Sequence, residues 1–435
     1  MTLEDYLRQH AEAAPDAVAL VCGDRRLTYG ELLAEAVSRS ATLSGFEGRA
    51  VVLRAEPTAD FVANYFAVHL AGKVAVPLPK DATDEDVVQC FDRCSAAQLP
   101  DNAADVLFTT GTTGKQKGVV VSHQAIVADA ENLIAAQGYH RGLTTVVNGP
   151  LNHIGSLSKI FPTIAAGGTV SIVDGMKDID AFFRAVDAAE GRAATFLVPS
   201  AIRMLLTFAG DKLAAHCDKI ELIETGAAPI AKVDMERLHE LLPQTRLYNT
   251  YASTETGIIA TFDYAAGGCL EGCLGRPMRH SSVAIAADGH IICGGRTLMS
   301  GYLGDAKLTA GVLRDGEVHT SDLGFIDVDG RLWLEGRQGD VINVGGYKIS
   351  PEEVESAALT LPTVADCVCV AGTHRVLGTQ LKLLVVTADG HEFDKKAIAR
   401  ALAAKLERHK VPLLYESIKA VRRNENGKID RKSYN

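Results

Sequence analysis

Hydrophobic residues recur along this chain with two spacings, one typical of helices and one typical of buried strands. Near the start, Leu3 and Leu7 fall on one helical face, and a β-prone run over residues 17–22 predicts a strand. Thr28 and Glu31 then have the spacing of a capping box, which predicts a second helix. The chain therefore opens with a helix, a strand and a helix.

The same alternation continues through the first half of the chain. Short apolar runs, each followed by a helical pattern, occur at residues 50–53, 104–108, 144–147 and 169–173. Ser122 is placed to cap a helix over residues 124–136. Buried strands that alternate with helices are typical of a wound α/β sheet, so an α/β fold is predicted.

The pattern changes toward the end of the chain. Between residues 281 and 336, short β-prone runs meet at the turns Asp288-Gly289 and Asp329-Gly330, which predicts a β-rich subdomain. Ser350 and Pro351 then predict the start of a helix. The last segment predicts strands at 364–370, 381–386 and 416–421 and a helix at 395–409. These elements suffice for a small C-terminal α/β lobe.

Composition narrows the class of protein. The chain has 435 residues, of which 47% are hydrophobic and 23% charged, and its formal net charge is -10. No apolar run approaches the ~20 residues of a membrane span, and the acidic balance argues against nucleic acid as a partner. The nine cysteines include no CxxC pair, which favours reduced, mostly buried thiols over a zinc site. A cytoplasmic protein without a membrane span is expected.

The segment from Thr109 to Gly118 carries the clearest chemical signal, with the sequence TTGTTGKQKG. Glycines let the backbone approach a ligand, and hydroxyls, backbone N–H groups and a lysine can hold phosphate oxygens. A flexible surface loop would have a similar composition. The segment fits neither the GxxxxGK[ST] pattern of P-loop NTPases nor the GxGxxG pattern of dinucleotide-binding enzymes.

The segment resembles the phosphate loop of the adenylate-forming superfamily, which includes acyl-CoA synthetases, luciferases and nonribosomal-peptide adenylation domains. Gln116 stands where the family usually has proline, a change that affects loop stiffness more than chemistry. The resemblance implies an ATP site whose loop residues are Thr109, Thr110, Gly111, Thr112, Thr113, Gly114 and Lys117.

A second motif follows in the family's order, YNTYASTE at residues 248–255. The resemblance implies that Asn249 bonds the adenine edge and that Tyr251 stacks on its face. It further implies that Thr254 reaches the α-phosphate and that Glu255 holds Mg²⁺. Ala252 replaces the usual glycine. Outside this resemblance, a glutamate between two threonines is typical of a solvated surface.

Further matches lie on both sides of this motif. Gly226, Ala227 and Ala228 resemble the segment whose backbone lines the adenine and acyl pocket, although a strand-end turn would have the same sequence. His153 matches the family's aromatic or histidine gate to the carboxylate pocket. A structural histidine is the alternative.

The last motifs concern the ribose, the hinge and the reacting group. The resemblance implies that Asp322 accepts hydrogen bonds from the ribose hydroxyls, with Arg337 beside it, and that Asp340 is the hinge between lobes. Lys428, near the end of the chain, would be the lysine that enters the site for adenylation. Asn343 stands where some members carry a second lysine for the later half-reaction.

The resemblance implies a two-lobe enzyme with residues 1–338 as the large N-terminal lobe and residues 339–435 as the mobile C-terminal lobe. It would convert a small carboxylic acid and ATP to an acyl-adenylate with Mg²⁺, then transfer the acyl group to CoA. A carrier-protein thiol and a catalytically silent relative remain as alternatives. The candidates for the acid pocket are Ser156, Lys159, Ser200 and Arg203, each also compatible with a helix surface.

Overall fold

The computed structural model describes residues 1–110, 116–344, 347–374, 378–424 and 427–434. Four of the predicted phosphate-loop residues, Gly111, Thr112, Thr113 and Gly114, lie outside the described residues, and Thr110 is described by its backbone alone. None of the helices in these ranges has both the length and the apolar character needed to cross a membrane.

The strands of the described chain, in order, are β1 (Val18–Cys22), β2 (Arg25–Thr28), β3 (Ala50–Arg54), β4 (Val74–Leu78), β5 (Ala103–Thr110), β6 (Gln116–Ser122), β7 (Leu143–Val147), β8 (Thr169–Ile172), β9 (Arg192–Phe196), β10 (Ile220–Gly226), β11 (Arg246–Ser253), β12 (Gly257–Asp263), β13 (Cys273–Pro277), β14 (Ser281–Ile285), β15 (His290–Gly295), β16 (Gly301–Tyr302), β17 (Leu313–Arg314), β18 (Glu317–Ile326), β19 (Leu332–Arg337), β20 (Ile342–Val344), β21 (Tyr347–Ile349), β22 (Val364–His374), β23 (Gly378–Thr387) and β24 (Leu414–Ser417).

The α-helices are α1 (Leu3–Ala13), α2 (Tyr29–Leu43), α3 (Ala59–Leu70), α4 (Asp84–Ser95), α5 (His123–Gln137), α6 (Ile154–Leu157), α7 (Ile160–Ala165), α8 (Ile179–Asp187), α9 (Pro199–Phe208), α10 (Gly210–Ala215), α11 (Lys232–Leu241), α12 (Tyr264–Gly267), α13 (Ala306–Val312), α14 (Pro351–Leu359) and α15 (Lys395–Ala403). Short 3₁₀ segments cover Arg408–Lys410 and Arg431–Tyr434.

A large sheet runs in the order β14-β15-β18-β19-β13-β12-β11-β10-β9-β7-β8-β1-β2, with β17 beside β18. From β11 to β1 the neighbours are parallel. Every residue of β7 is buried, as expected for a parallel strand covered on both faces. The wound α/β prediction is confirmed. The hairpins at the two predicted Asp-Gly turns are β14–β15 and β18–β19, and they extend this same sheet.

A second sheet, in the order β16-β6-β5-β4-β3, holds the strand before and the strand after the predicted phosphate loop. One apolar core contains Leu20 and Val170 of the large sheet together with Leu107 and Val119 of this second sheet. Helices including α1, α2, α3 and α5 contribute to the same core, so the two sheets and these helices form one packed body.

The C-terminal segment forms a separate three-stranded sheet, β22-β23-β24, and a hairpin, β20–β21. Its core contains Val354 of α14, Leu383 of β23 and Leu402 of α15. Two sequence predictions differ here in their bounds. The helix predicted to reach residue 409 ends at Ala403, and the strand predicted at 416–421 is β24, which begins at Leu414.

Local capping follows the sequence closely in the N-terminal half. Thr28 and Glu31 form the predicted capping box, and the Ser122 hydroxyl accepts a hydrogen bond from the Ala125 N–H. Ser350 occupies the N-cap of α14, with Pro351 in the first turn, but within the described residues its side chain makes no capping hydrogen bond. The nine cysteines, all in described segments, are free thiols.

Candidate active site

Parallel strands β10 and β11 end side by side, at Gly226 and Ser253, and ligands of such sheets bind beyond these carboxyl ends. A Cβ on Gly226 would lie 2.6 Å from the Thr250 carbonyl oxygen of β11, so a larger residue would push the two strands apart. Ala227 follows with φ of 67°, a left-handed conformation that costs about 1 kcal/mol or more for a residue with a side chain. The predicted strand-end turn is present and strained.

A carboxylate lies opposite this edge. Asp322 of β18 accepts a hydrogen bond of 2.7 Å from the Tyr251 hydroxyl of β11, and its other oxygen lies 3.4 Å from Nε of Arg337. The Arg337 Nε also donates to the Ser321 hydroxyl at 3.0 Å. Tyr251, Asp322 and Arg337, which lie far apart in the sequence, are therefore adjacent, and Asp322 is fixed from two sides.

Glu255 lies in the turn between β11 and β12 and is also held by neighbours. The Tyr302 hydroxyl donates to one oxygen of the Glu255 carboxylate at 2.9 Å, and the Met299 N–H donates to the Glu255 carbonyl at 2.9 Å. Lys117 Nζ lies 5.4 Å from the centre of the Tyr302 ring, a cation–π distance. Burial and the Glu255 charge raise the pKa of Tyr302, so Tyr302 remains a donor.

This carboxylate can hold a hard cation. Tyr302 uses only one of its two oxygens, so among the described residues the second oxygen is available, and Thr254 next to it is half-buried. Carboxylate oxygens beside a hydroxyl suit Mg²⁺, which binds protein through one or two such groups. The side chains at this position therefore fit the predicted metal.

Asn249 is buried in β11, and its side-chain amide donates to the Cys273 carbonyl at 3.0 Å. This bond fixes the side chain between β11 and β13. Its oxygen is the group that could face a ligand, because the amide nitrogen already has an acceptor.

Lys428 reaches the same region from the C-terminal lobe. Desolvation by surrounding protein and the charge of Arg337 lower the pKa of Lys428, whereas Asp322 and Glu255 oppose this shift. Burial and the Lys428 charge lower the pKa of His153 to about 4, so its imidazole is neutral at physiological pH. The charges of the predicted ribose and metal residues therefore act on Lys428, and the Lys428 charge acts on the predicted gate, His153.

Two cations considered for the acid pocket are engaged by carboxylates. Lys159 is buried and donates to both oxygens of Glu224 at 2.8 and 2.7 Å. Arg203 pairs with Asp234, and its guanidinium also lies 3.5 Å from Asp366. Each of these two cations, which could in principle pair with a second carboxylate of the substrate, is therefore already ion-paired within the protein.

The structure brings together most of the site residues named from the sequence. Thr109 pairs with Lys117 across the β5–β6 hairpin, and Ala228 is half-buried beside the strained Ala227. The residues that sequence reasoning missed are Tyr302 and Ser321, which hold Glu255 and Arg337. Tyr302 lies in a two-residue strand, too short to produce a periodic signal.

The sequence matches the AMP-binding enzyme family over residues 7–99 and 95–303, and the AMP-binding enzyme C-terminal domain over residues 353–428. Indoleacetate–CoA ligase from Aromatoleum aromaticum is 26% identical over 95% of this chain and 93% of its own length. The fatty acid–[acyl-carrier-protein] ligase ScoC from Streptomyces coeruleorubidus is 30% identical over 77% of this chain and 67% of its own length.

Among solved structures, the o-succinylbenzoate coenzyme A synthetase of Bacillus subtilis, in complex with ATP and magnesium ion, has a TM-score of 0.85 to this chain. The two are 21% identical, and the match covers 98% of each. This likeness concerns the fold, whereas the family matches cover most of the sequence of both lobes. The protein therefore belongs to the AMP-binding enzyme family, and it is an adenylate-forming enzyme similar to acyl-CoA ligases.

Proposed function

We propose that this enzyme joins a monocarboxylic acid to the thiol of CoA through an acyl-adenylate, using ATP and Mg²⁺. The observation that carries the proposal is the electrostatic coupling of Lys428, whose pKa responds to the charges of Arg337, Asp322 and Glu255 and whose own charge lowers the pKa of His153. A lysine from one lobe beside these groups of the other lobe is suited to stabilise charge that develops on the reacting oxygens.

In the first half-reaction, an oxygen of the substrate carboxylate attacks the α-phosphorus of ATP, and the bond to the β-phosphate breaks with release of pyrophosphate. Asp322 accepts hydrogen bonds from the ribose hydroxyls, and Thr109 and Lys117 contact the leaving phosphates. Mg²⁺ on Glu255 would offset the phosphate charges. Lys428 approaches the reacting oxygens, and the neutral His153 borders the acid without adding a second charge.

In the second half-reaction, the thiol sulfur attacks the acyl carbonyl carbon, AMP leaves and the thiol proton passes to solvent. We expect the segment Gly345-Gly346-Tyr347, just past the hinge, to serve this step. Only Tyr347 of this segment lies within the described residues, and its ring stacks on His409 with centroids 4.2 Å apart. Rotation of residues 339–435 about Asp340 would withdraw Lys428 and bring this loop to the site.

The acid is proposed to carry one carboxylate. Lys159 is neutralised by Glu224 inside the protein, and Arg203 is paired with Asp234 and Asp366, so a second carboxylate on the substrate would compete with a buried ion pair or a partly buried one. Uncompensated burial of a charge is strongly unfavourable. An acid with an apolar or neutral side chain avoids this penalty.

ATP–pyrophosphate exchange measured over an acid panel tests the proposal. The panel contains monocarboxylates and dicarboxylates matched in length, and the expected result is exchange that depends on a monocarboxylate. Lys428→Ala should lower exchange with the best acid by about 100-fold or more, because the charge facing the transition state is lost.

The matched control removes the same charge as Lys428→Ala, but from a lysine outside the proposed site. Lys382→Ala removes a lysine that pairs with Glu416 on the three-stranded C-terminal sheet, and exchange should remain near the wild-type rate. Silence of the folded protein across the panel, or equal exchange in Lys428→Ala and wild type, contradicts the proposal.

A carrier protein is the second candidate for the thiol. The relative ScoC, by its name, loads fatty acids on an acyl carrier protein, and it covers the larger part of this chain. Capture of the acyl-adenylate with hydroxylamine first identifies the acid. Competition between CoA and a phosphopantetheinyl carrier for the same adenylate then distinguishes the acceptors, with CoA expected to be faster.

A further inference from the structure

One face of α9 contacts the segment that carries Lys428. Ser200 and Arg203 are three residues apart in this helix and lie on the same side of it. A Cβ placed on Gly427 would lie 2.5 Å from the Ser200 hydroxyl oxygen and 3.0 Å from a Val198 methyl group. Gly427 therefore lies directly against the start of α9.

One turn further along α9, a charged contact crosses between the lobes. Arg203 Nη1 lies 3.5 Å from an oxygen of Asp366, which belongs to β22 of the C-terminal lobe. Asp366 also accepts from Arg423 with both oxygens, each at 2.9 Å. A single carboxylate is thus shared by an arginine of each lobe.

Arg423 continues this connection to the backbone around Lys428. Its Nη1 donates to the Gly427 carbonyl at 3.2 Å, and its backbone pairs with Ile429 in an isolated antiparallel bridge. Residues on both sides of Lys428 are therefore bound to Arg423, and Arg423 is bound to Asp366. The path from α9 to Lys428 consists of Arg203, Asp366, Arg423 and Gly427.

The contact between Arg203 and Asp366 can open when the lobes separate, because each of the two residues also has a partner in its own lobe. Arg203 has a second partner, Asp234, in its own lobe, and Asp366 has Arg423 in its own lobe. Separation of the lobes would leave every one of these four groups paired. The contact between Arg203 and Asp366 therefore stabilises the docked lobes. When the lobes separate, neither residue is left as an unpaired charge.

We propose that Asp366, held between Arg203 and Arg423, is a positioning residue that sets the Lys428 segment on α9 for the adenylation step. This inference rests on the proposed role of Lys428. Asp366 does not touch the reacting atoms, and it acts through the location of Lys428. It should matter for the half-reaction in which Lys428 is docked and be dispensable for the other.

The two half-reactions, measured separately, test this role in Asp366→Asn and Arg203→Gln. Pyrophosphate exchange should fall about three- to tenfold in each, the range expected when a partly buried ion pair between docked lobes is lost. Single-turnover transfer from preformed acyl-adenylate to the thiol should stay within about twofold of wild type. Equal loss in both half-reactions would indicate a merely structural role and overturn the inference.

Glu416→Gln is the matched control. It removes a carboxylate of β24, in the same sheet as Asp366, whose partner Lys382 also belongs to that sheet. Both half-reactions should keep their wild-type rates in this variant. A selective loss of exchange in Glu416→Gln like that in Asp366→Asn would also overturn the inference, because the effect would then not depend on the contact with α9.

A steric test uses the opposite end of the contact. Gly427→Ala should impair exchange, since φ is +70° there and the new methyl group would meet the Ser200 hydroxyl. Ser200→Ala removes that hydroxyl, so the double variant should recover part of the lost exchange. If the double variant recovers no pyrophosphate exchange relative to Gly427→Ala, docking of Gly427 on α9 is contradicted.

Amide hydrogen exchange measures docking without turnover and separates this inference from the proposed function. Asp366→Asn should increase the amide hydrogen exchange of the segment around Lys428 in the unliganded protein, whereas Glu416→Gln should not. Unchanged protection in Asp366→Asn overturns the inference even if adenylation is observed. If the wild-type protein adenylates no acid, the proposed function is contradicted. Increased amide hydrogen exchange in Asp366→Asn would still support the contact between the Lys428 segment and α9.

Discussion

Tyr302 connects two charged side chains that the sequence motifs treat separately. Its hydroxyl donates to Glu255 at 2.9 Å, and its ring faces the Lys117 ammonium at 5.4 Å. Groups that hydrogen-bond a metal-binding carboxylate fix its orientation and are commonly as important as the ligand itself. The proposed metal and phosphate groups therefore depend on one buried tyrosine.

Tyr302→Phe should separate these two roles. The ring that faces Lys117 remains, but the hydrogen bond to Glu255 is lost, so the carboxylate is less well oriented for Mg²⁺. We expect the Mg²⁺ concentration for half-maximal pyrophosphate exchange to rise about tenfold, in the range found for loss of such orienting groups. Titration of exchange with Mg²⁺ at saturating ATP measures this change.

Tyr264→Phe is the control for loss of a buried phenol. The Tyr264 hydroxyl has no hydrogen-bond partner among the described residues, and the side chain belongs to a different apolar core. Its Mg²⁺ dependence should match wild type. An unchanged Mg²⁺ requirement in Tyr302→Phe would show that the hydrogen bond to Glu255 does not orient a metal ligand.

Residue identity could be predicted from motifs, but residue pairing could not. Asp322, Arg337 and Glu255 were named from sequence and are clustered in the structure. The partner of Lys159 is 65 residues away, and nothing in the local sequence marks Glu224 as buried beside it. Such pairs arise from the order of strands in the sheet, which residue spacing does not specify.

Three elements of the N-terminal lobe are joined by buried charges. His69 of α3 contacts Glu4 of α1 at 2.7 Å and Asp105 of β5 at 3.0 Å. Tyr65 donates to Asp105 at 2.8 Å, and His123 lies 3.7 Å from Glu4. These groups lie outside the proposed site, and their arrangement ties two helices to the strand that precedes the phosphate loop.

The network makes stability depend on pH in a defined direction. Burial would lower the pKa of His69, but its hydrogen bonds to Asp105 and Glu4 outweigh burial and raise the pKa to about 10. Its contribution is therefore full below the ordinary value of 6.5 and is lost as pH rises toward 10. Glu4, with its pKa lowered to about 2, contributes above 4.5 and loses its contribution at lower pH.

His69→Gln should remove the alkaline part of this dependence. Between about pH 8 and about pH 10, the free energy of unfolding of wild type should fall by about 2 kcal/mol more than that of the variant. Urea unfolding at several pH values measures the difference, and other alkaline groups titrate in both proteins. Parallel pH curves for the two proteins would contradict a protonated His69 in the folded state.

The sequence predicts which helices and strands are present better than it predicts the residues at which they begin and end. The capping box at Thr28 and Glu31 specifies the start of α2 because its hydrogen bonds are local. The end of α15 at Ala403 was missed, since an apolar pattern continues past it to Leu406, which packs on the C-terminal core from outside the helix. Tertiary packing, rather than periodicity, sets that boundary.

The arrangement of the whole molecule fits the one proposed for the first half-reaction. The charges of Asp322 and Glu255 act on Lys428, whereas Tyr347 is 56% exposed and stacked on His409. Ser356 of α14 also donates to Glu271 of the large lobe, which adds a further contact between the lobes. The second half-reaction is proposed to need a different arrangement of the same two lobes.

A disulfide across the lobes should block that rearrangement. Because the Ser200 hydroxyl oxygen lies 2.5 Å from a Cβ placed on Gly427, the Ser200 Cβ is at most one bond further away, and it is no nearer than the Val198 Cβ at 3.7 Å. This separation falls within the ~3.5–4.5 Å between Cβ atoms of disulfides. We expect the oxidised Ser200→Cys/Gly427→Cys double variant to retain pyrophosphate exchange but lose transfer to the thiol, because Lys428 cannot leave.

Reduction supplies the decisive comparison, since it opens the bond without other change to the protein. Transfer to the thiol should return on reduction, while exchange should fall, because the Cβ on residue 427 then presses on α9 without a bond to hold it. Each single variant, treated with the same oxidant, controls for the native free thiols. Thiol transfer at an undiminished rate in the fully oxidised double variant would mean that both half-reactions proceed with the lobes as they stand here, and no rotation about Asp340 would be required.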